Sequence, residues 1–263
     1  MLTRTITTTM LTIGLAAPAL ADVTLKQTTD GKGMGLSGKM SGVAYIKGSK
    51  MRSDAVMGDK TQTMIFDLDA QKMYLFDSKK KEADVWDMAA FGADIAKSVD
   101  TSDAKASFKP NGQKKDIGGK SANGYDVEIS TNAALGGSKD MTMTVTLAGP
   151  VWIVPGAPGS ADYARFYKTA AEKGWIFSDP RVAKAQPGQA RAMAEMYRQI
   201  ASTNGIPYLI DIQIKLGGSG PMAGLMARMG NVSMTTTTDA VEVGPLAEDL
   251  FAPPAGYKLN PKK

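Results

Sequence analysis

Turn signals recur along Val43–Trp86 about every ten residues, and no other feature narrows the possible folds as much. They stand at Lys47-Gly48-Ser49-Lys50, Gly58-Asp59, Asp67–Gln71 and Asp77–Lys81, and the runs between them are rich in Val, Ile, Phe, Tyr, Met and Thr. Short β-branched and aromatic runs separated by tight turns make an antiparallel meander. The aspartates inside it then have a structural use. Asp67 and Asp69 flank a tight connection, where aspartate bonds its own backbone two residues on, and Asp77-Ser78 opens the next turn in the same way. Lys79, Lys80 and Lys81 fall on a solvated tip. Asp67-x-Asp69 does not continue as a calcium loop: Gln71 replaces the third oxygen ligand, and neither the glycine nor the distal glutamate follows. Ser78-Lys79-Lys80-Lys81 contains Ser-x-x-Lys, but a hairpin tip does not bury a lysine enough to lower its pKa, so no Ser/Lys nucleophile is read there.

Period-two alternation returns at Tyr125–Ile129, at Met141–Leu147 with threonines between, and at Tyr208–Lys215, and Val151–Val154 is another short apolar run. VSMTTTTDAVEVG reads as one long strand. A polar strand is expected around Ala104–Lys109, then a turn at Pro110-Asn111-Gly112 and a hairpin or bend at Asn123-Gly124. Helical spacing interrupts this pattern. Met88, Phe91, Ile95 and Val99 make a short amphipathic helix within Asp87–Thr101. Tyr163, Phe166, Tyr167 and Ala170 form a stripe that Ser160 caps and Gly174 ends. Ser178-Asp179-Pro180 starts a short helical turn, and Met193, Met196, Tyr197 and Ile200 mark a further helix ended near Gly205 and Pro207. The fold class is therefore α+β, mostly β, with a few inserted helices. A sheet this large must curl, close or cover its apolar face, so a strongly curved antiparallel sheet, an incomplete barrel, is expected.

The chain opens MLTRTITTTMLTIGLAAPALADV. Arg4 and the amino terminus precede an apolar stretch, Met10–Ala17, and Ala19-Leu20-Ala21 fits a small-x-small cleavage pattern. Residues 1–21 are expected to be a signal peptide cut after Ala21, leaving Asp22–Lys263 as a single domain in the periplasm. Losing Arg4 leaves 30 basic residues, one fewer than the 31 of the whole chain, against 26 acidic ones. That mild excess allows weak contact with an anionic membrane surface and does not point to nucleic acid. The chain has no cysteine and no histidine. Disulfides, a Ser-His-Asp triad, a thiolate nucleophile and a His- or Cys-ligated zinc are all excluded. No catalytic residue, metal site or cofactor is assigned.

Gly244-Pro245-Leu246 followed by Asp249-Leu250-Phe251-Ala252-Pro253-Pro254-Ala255-Gly256-Tyr257-Lys258 resembles the ending of an exported bacterial family, the domain of unknown function numbered four-four-one-two. Tyr45-Ile46-Lys47-Gly48-Ser49-Lys50-Met51-Arg52, Ile65–Tyr74 and the Gly124-Tyr125 strand resemble that family's amino-terminal meander and a later strand. The resemblance covers Val43–Lys258. It implies an architecture similar to the LolA/LolB lipoprotein carriers, in which a curved, incompletely closed sheet wraps helices and an apolar cavity. It carries over no catalytic or gating residue, and Gly174–Pro187 is longer than the resemblance implies. The ending also has its own physical logic: Leu250 and Phe251 can anchor a tail in the core or across a barrel edge, and Tyr257 can pack its ring while its hydroxyl stays wet.

Two stretches are candidates for function. Met51, Met57, Met64, Met73, Met141, Met143 and Met234 all fall on expected strands, and methionine suits surfaces that accept varied apolar partners. Met64, Phe66, Met73, Leu75, Met141, Met143, Ile210 and Ile212 are the expected lining of a concavity for a lipid or an acylated partner such as a lipoprotein. The same residues would serve as ordinary core if the inserted helices fill the sheet. In Gly217–Gly230, Met222, Leu225, Met226 and Met229 share helical spacing between glycines, as a lid would. Met222, Met226 and Met229 could alternatively supply three thioethers to copper(I). A structural or adaptor role in the envelope, with no small ligand, is a third reading; a carboxylate hydrolase needs a convergence that no spacing here indicates.

Overall fold

The computed structural model describes residues 22–33, 36–135, 138–175, 179–218, 224 and 231–262. The expected signal peptide and the four residues expected to form the lid, Met222, Leu225, Met226 and Met229, lie outside the described residues. So does the methionine set proposed for copper.

Among the described residues twelve strands form one sheet. In chain order they are β1 (Val23–Gly33), β2 (Leu36–Lys47), β3 (Lys50–Met57), β4 (Lys60–Asp67), β5 (Lys72–Asp77), β6 (Glu82–Asp87), β7 (Val99–Ile117), β8 (Lys120–Leu135), β9 (Ser138–Pro155), β10 (Gly205–Gly218), β11 (Val232–Val243) and β12 (Lys258–Lys262). Among the described residues four helices are inserted: α1 (Met88–Lys97) between β6 and β7, and α2 (Ser160–Glu172), α3 (Pro180–Ala185) and α4 (Pro187–Ser202) between β9 and β10. Across the sheet the order is β12-β6-β5-β4-β3-β2-β1-β11-β10-β9-β8-β7. Every pairing is antiparallel except β12 with β6.

This order dictates strong curvature. In a flat sheet, β6 and β7 would lie about 48 Å apart, ten strand spacings. Yet α1, with ten residues, spans only about 15 Å and joins the end of β6 to the start of β7. The sheet must therefore curl until its two edges stand a helix length apart. β12 and β7 do not pair with one another, so the barrel is incomplete. α4 packs on β8, β9 and β10, α2 on β10 and β2, and α1 on β6 and β7, which places the helices on the concave face.

The helix ends follow local chemistry. Asp87 caps α1, its carboxylate accepting from the Ala90 N–H at 2.9 Å and pairing with Lys72 at 3.1 Å. The Ala90 N–H, with help from Lys72, holds the Asp87 carboxyl below its ordinary pKa. A carboxyl shifted this way stabilises the fold above its unfolded pKa of about 4 and loses that contribution as pH falls through the folded value. Asp87→Ala is expected to cost about 1 kcal/mol at pH 7. The difference in urea midpoint between wild type and variant should close as the pH drops below about 4. Asp179 caps α3 through the Arg181 N–H. The cap of α2 differs from expectation: Gly159 takes the cap position and Ser160 is the first helical residue.

Two expected turns are strand interior instead. Pro110-Asn111-Gly112 sits within β7, where the register slips between Pro110 and Lys114, and the hairpin turns at Gly118-Gly119. Proline and asparagine are absorbed there by a bulge in an edge strand, the place in a sheet that tolerates them. Asn123-Gly124 lies inside β8, where Gly124 pairs with Trp152. The Asp67 and Asp77 turns form as expected, but each carboxylate accepts from the backbone three residues on, at Ala70 and Lys80. Asp69 is bonded by the Ser49 hydroxyl.

After β11 the tail crosses the convex face. Arg52 donates to the Leu250 carbonyl, Lys47 pairs with Glu248 at 3.0 Å, and Phe251 is buried. Tyr257 meets Phe76 edge-on at 5.7 Å, and β12 then covers the β6 edge. Leu250 and Phe251 thus hold the tail against β3 and β4, inside the sheet and not at its edge, and β12 alone reaches the edge.

Candidate functional site

The concave face carries a continuous buried cluster, and the expected lining residues belong to it in two groups. Met64 pairs with Leu75 and Phe66 with Met73 across β4 and β5. Met143, Ile210 and Ile212 stand on β9 and β10. All seven are buried. Met141 stands on β9 two positions before Met143. Against this face lie Phe166 and Tyr167 of α2 and Met196 and Ile200 of α4, all buried in the same cluster. Tyr167 stacks on Tyr197 at 5.1 Å, and its hydroxyl lies 3.6 Å from the Met51 sulfur. Burial pushes the Tyr163 and Tyr167 hydroxyls far up in pKa, so both are neutral and serve packing.

The same face opens at one end. A cavity of about 180 Å³ is lined there by Thr29, Gly31, Gly38, Met40, Met57, Gln189, Ile214, Val232, Ser233 and Met234. Its floor follows from register. Gly31 pairs with Gly38 on one side and with Met234 on the other. Two glycines facing each other across β1 and β2 leave a patch of sheet without side chains. One step along, Thr29 pairs with Met40, and Ile212 and Ile214 pair with Met234 and Val232. The cavity is therefore the next layer of the face that carries Ile210 and Ile212, at the point where helix no longer covers it. α4 reaches its border only with Gln189, near a start held down by the Thr131 hydroxyl donating to the Gly188 carbonyl at 2.8 Å.

Among the described residues, none of those lining it carries a charge, and three of them are methionines. Met57 and Met40 are exposed at 57% and 37%, unusual for side chains of this size, whereas Ile214 and Val232 are buried. The result is a flexible apolar rim over an apolar base. It can take up a hydrophobic group of varied shape, and among the described residues it brings no nucleophile and base together. Alternation in the sequence marks the correct face and includes Met57, Ile214 and Met234, but Gly31, Gly38 and Met40 carry no period that would single them out. Their role depends on the pairing of β1 with both β2 and β11, the latter about two hundred residues away.

No family model matches the chain. No curated protein matches it either. Among solved structures the chain is similar to one described as PNGF-II, at 9% identity and a TM-score of 0.36, over 92% of this chain and 31% of that one. It thus spans under a third of that structure's length. A second similar structure is a putative outer membrane lipoprotein-sorting protein domain from Vibrio parahaemolyticus, at 9% identity and a TM-score of 0.31, over 89% of this chain and 90% of that one.

Proposed function

We propose that this is an exported, non-enzymatic protein that binds the apolar chain of a lipid or acylated partner at the open end of its curved sheet. The observation that carries the proposal is the methionine-rimmed cavity whose described lining is uncharged and whose floor is the Gly31–Gly38 pair. The amino-terminal pattern, with cleavage after Ala21, supports the periplasm as its location. Met64, Phe66, Met73, Leu75, Met141, Met143, Ile210 and Ile212 act in this reading as the apolar wall behind the cavity.

The volume limits the ligand. At about 30 Å³ for each water-sized group, 180 Å³ holds about six methylenes. Each buried methylene contributes about 0.8 kcal/mol, close to fourfold in affinity. Native mass spectrometry of residues 22–263 with 1-monoacylglycerols of increasing chain length tests this. One bound equivalent is expected, with affinity rising about fourfold per methylene and levelling off beyond about six. A protein that stays free of adduct with every chain length would refute the proposal.

A further inference from the structure

We propose that Met57 and Met40, at the mouth of the apolar cavity, form a methionine oxidation site, and that their modification by peroxide lowers the affinity of the cavity for an apolar chain. The effect on affinity rests on the reading of that cavity as a lipid or acyl site; the modification rests only on where the sulfurs stand.

The methionines divide sharply by exposure. Among the described residues, Met57 at 57% and Met40 at 37% are the exposed ones. Met51, Met64, Met73, Met88, Met143 and Met196 are buried, and Met193 and Met234 are half-buried. The two exposed side chains are also neighbours. Ser41 pairs with Val56, so the next step along β2 and β3 brings Met40 beside Met57, and both line the cavity. Met57 ends β3 directly before the Gly58-Asp59 turn, where few neighbours shield it. Met234 stands across the floor, paired with Gly31. An oxidant arriving from solvent meets the thioethers at the mouth before those in the core.

The chain has no cysteine, so methionine is its only sulfur. In the reaction the thioether sulfur donates an electron pair to one oxygen of hydrogen peroxide. The O–O bond breaks as the S–O bond forms; sulfur is oxidised to the sulfoxide, and the peroxide is reduced, its other oxygen leaving as water. The product is polar where the thioether was apolar. At Met57 and Met40 it puts a hydrated rim over a base of Ile214 and Val232 that stays apolar. A chain entering the cavity must then displace water without replacing its hydrogen bonds. The core is untouched, and methionine sulfoxide reductase can restore the rim.

Treatment of residues 22–263 with hydrogen peroxide, followed by peptide mass spectrometry, gives the rate at each methionine. Met57 and Met40 are expected to oxidise on the order of tenfold faster than Met51, Met73 and Met196. The melting temperature at that stage should stay within about 2 °C of the untreated protein. Native mass spectrometry should then show 1-monoacylglycerol bound about fourfold more weakly, the worth of one buried methylene, and reduction by methionine sulfoxide reductase should restore it. Met40→Leu with Met57→Leu should bind as wild type does and keep its affinity through the same treatment. Equal rates at exposed and buried methionines would overturn the site. Undiminished affinity after oxidation, or a double variant that remains sensitive, would overturn its effect on binding. Untreated protein that takes no monoacylglycerol refutes the binding reading instead, and the rates still confirm or overturn the site.

Discussion

Replacing Gly149 with alanine is expected to destabilise the fold by on the order of 3 kcal/mol, lowering the melting temperature by about 6–12 °C. Gly149 lies in β9 between β8 and β10, with φ of 149°, a backbone conformation that residues with a Cβ rarely adopt. A Cβ there would stand 2.1 Å from the Asp211 carbonyl oxygen and 3.1 Å from the Ile212 Cα. Both obstacles are backbone, so relief requires β10 to move away from β9. That movement would disturb Ile212, which pairs with Met234 at the border of the apolar cavity. Thermal unfolding of the variant gives the direct reading. A melting temperature within 2 °C of wild type would show that β9 and β10 are not held this closely.

Gly31→Leu is expected to reduce monoacylglycerol binding at least tenfold while leaving the melting temperature nearly unchanged. Gly31 is not among the glycines with positive φ, and it pairs with Gly38 at the base of the cavity. A leucine there occupies the space of about four of the six methylenes that the cavity holds, which at about 0.8 kcal/mol each is far more than the tenfold loss expected. Native mass spectrometry alongside wild type measures the effect. Undiminished binding would place the ligand elsewhere on the molecule.

The contrast between these two glycines shows what the sequence reveals. Alternation and turn residues mark most of the strands because each strand buries one face and each turn needs its own chemistry. Phe91, Ile95, Met196 and Ile200 reveal α1 and α4 because a helix on a concave sheet must bury a stripe. β1, VTLKQTTDGKG, carries no clear alternation, since half of its length borders the open cavity, where both faces tolerate polar or small residues. β12, KLNPK, is equally silent: it is a short edge strand held by pairing with β6. The Pro110-Asn111-Gly112 stretch reads as a turn by composition, and only the long pairing of β7 with β8 overrides it. The cavity itself depends on register. Gly31, Gly38, Met40 and Met234 meet because β11 pairs with β1, a contact between the two ends of the chain that no local pattern encodes.

Photocrosslinking tests the apolar cavity most directly. A monoacylglycerol with a diazirine at the end of its chain, irradiated with residues 22–263 and mapped by peptide mass spectrometry, reports where the chain end sits. Crosslinks are expected on Met40, Met57, Val232 and Met234, and they should disappear in Gly31→Leu. Crosslinks spread over the convex face would contradict binding at the open end of the sheet.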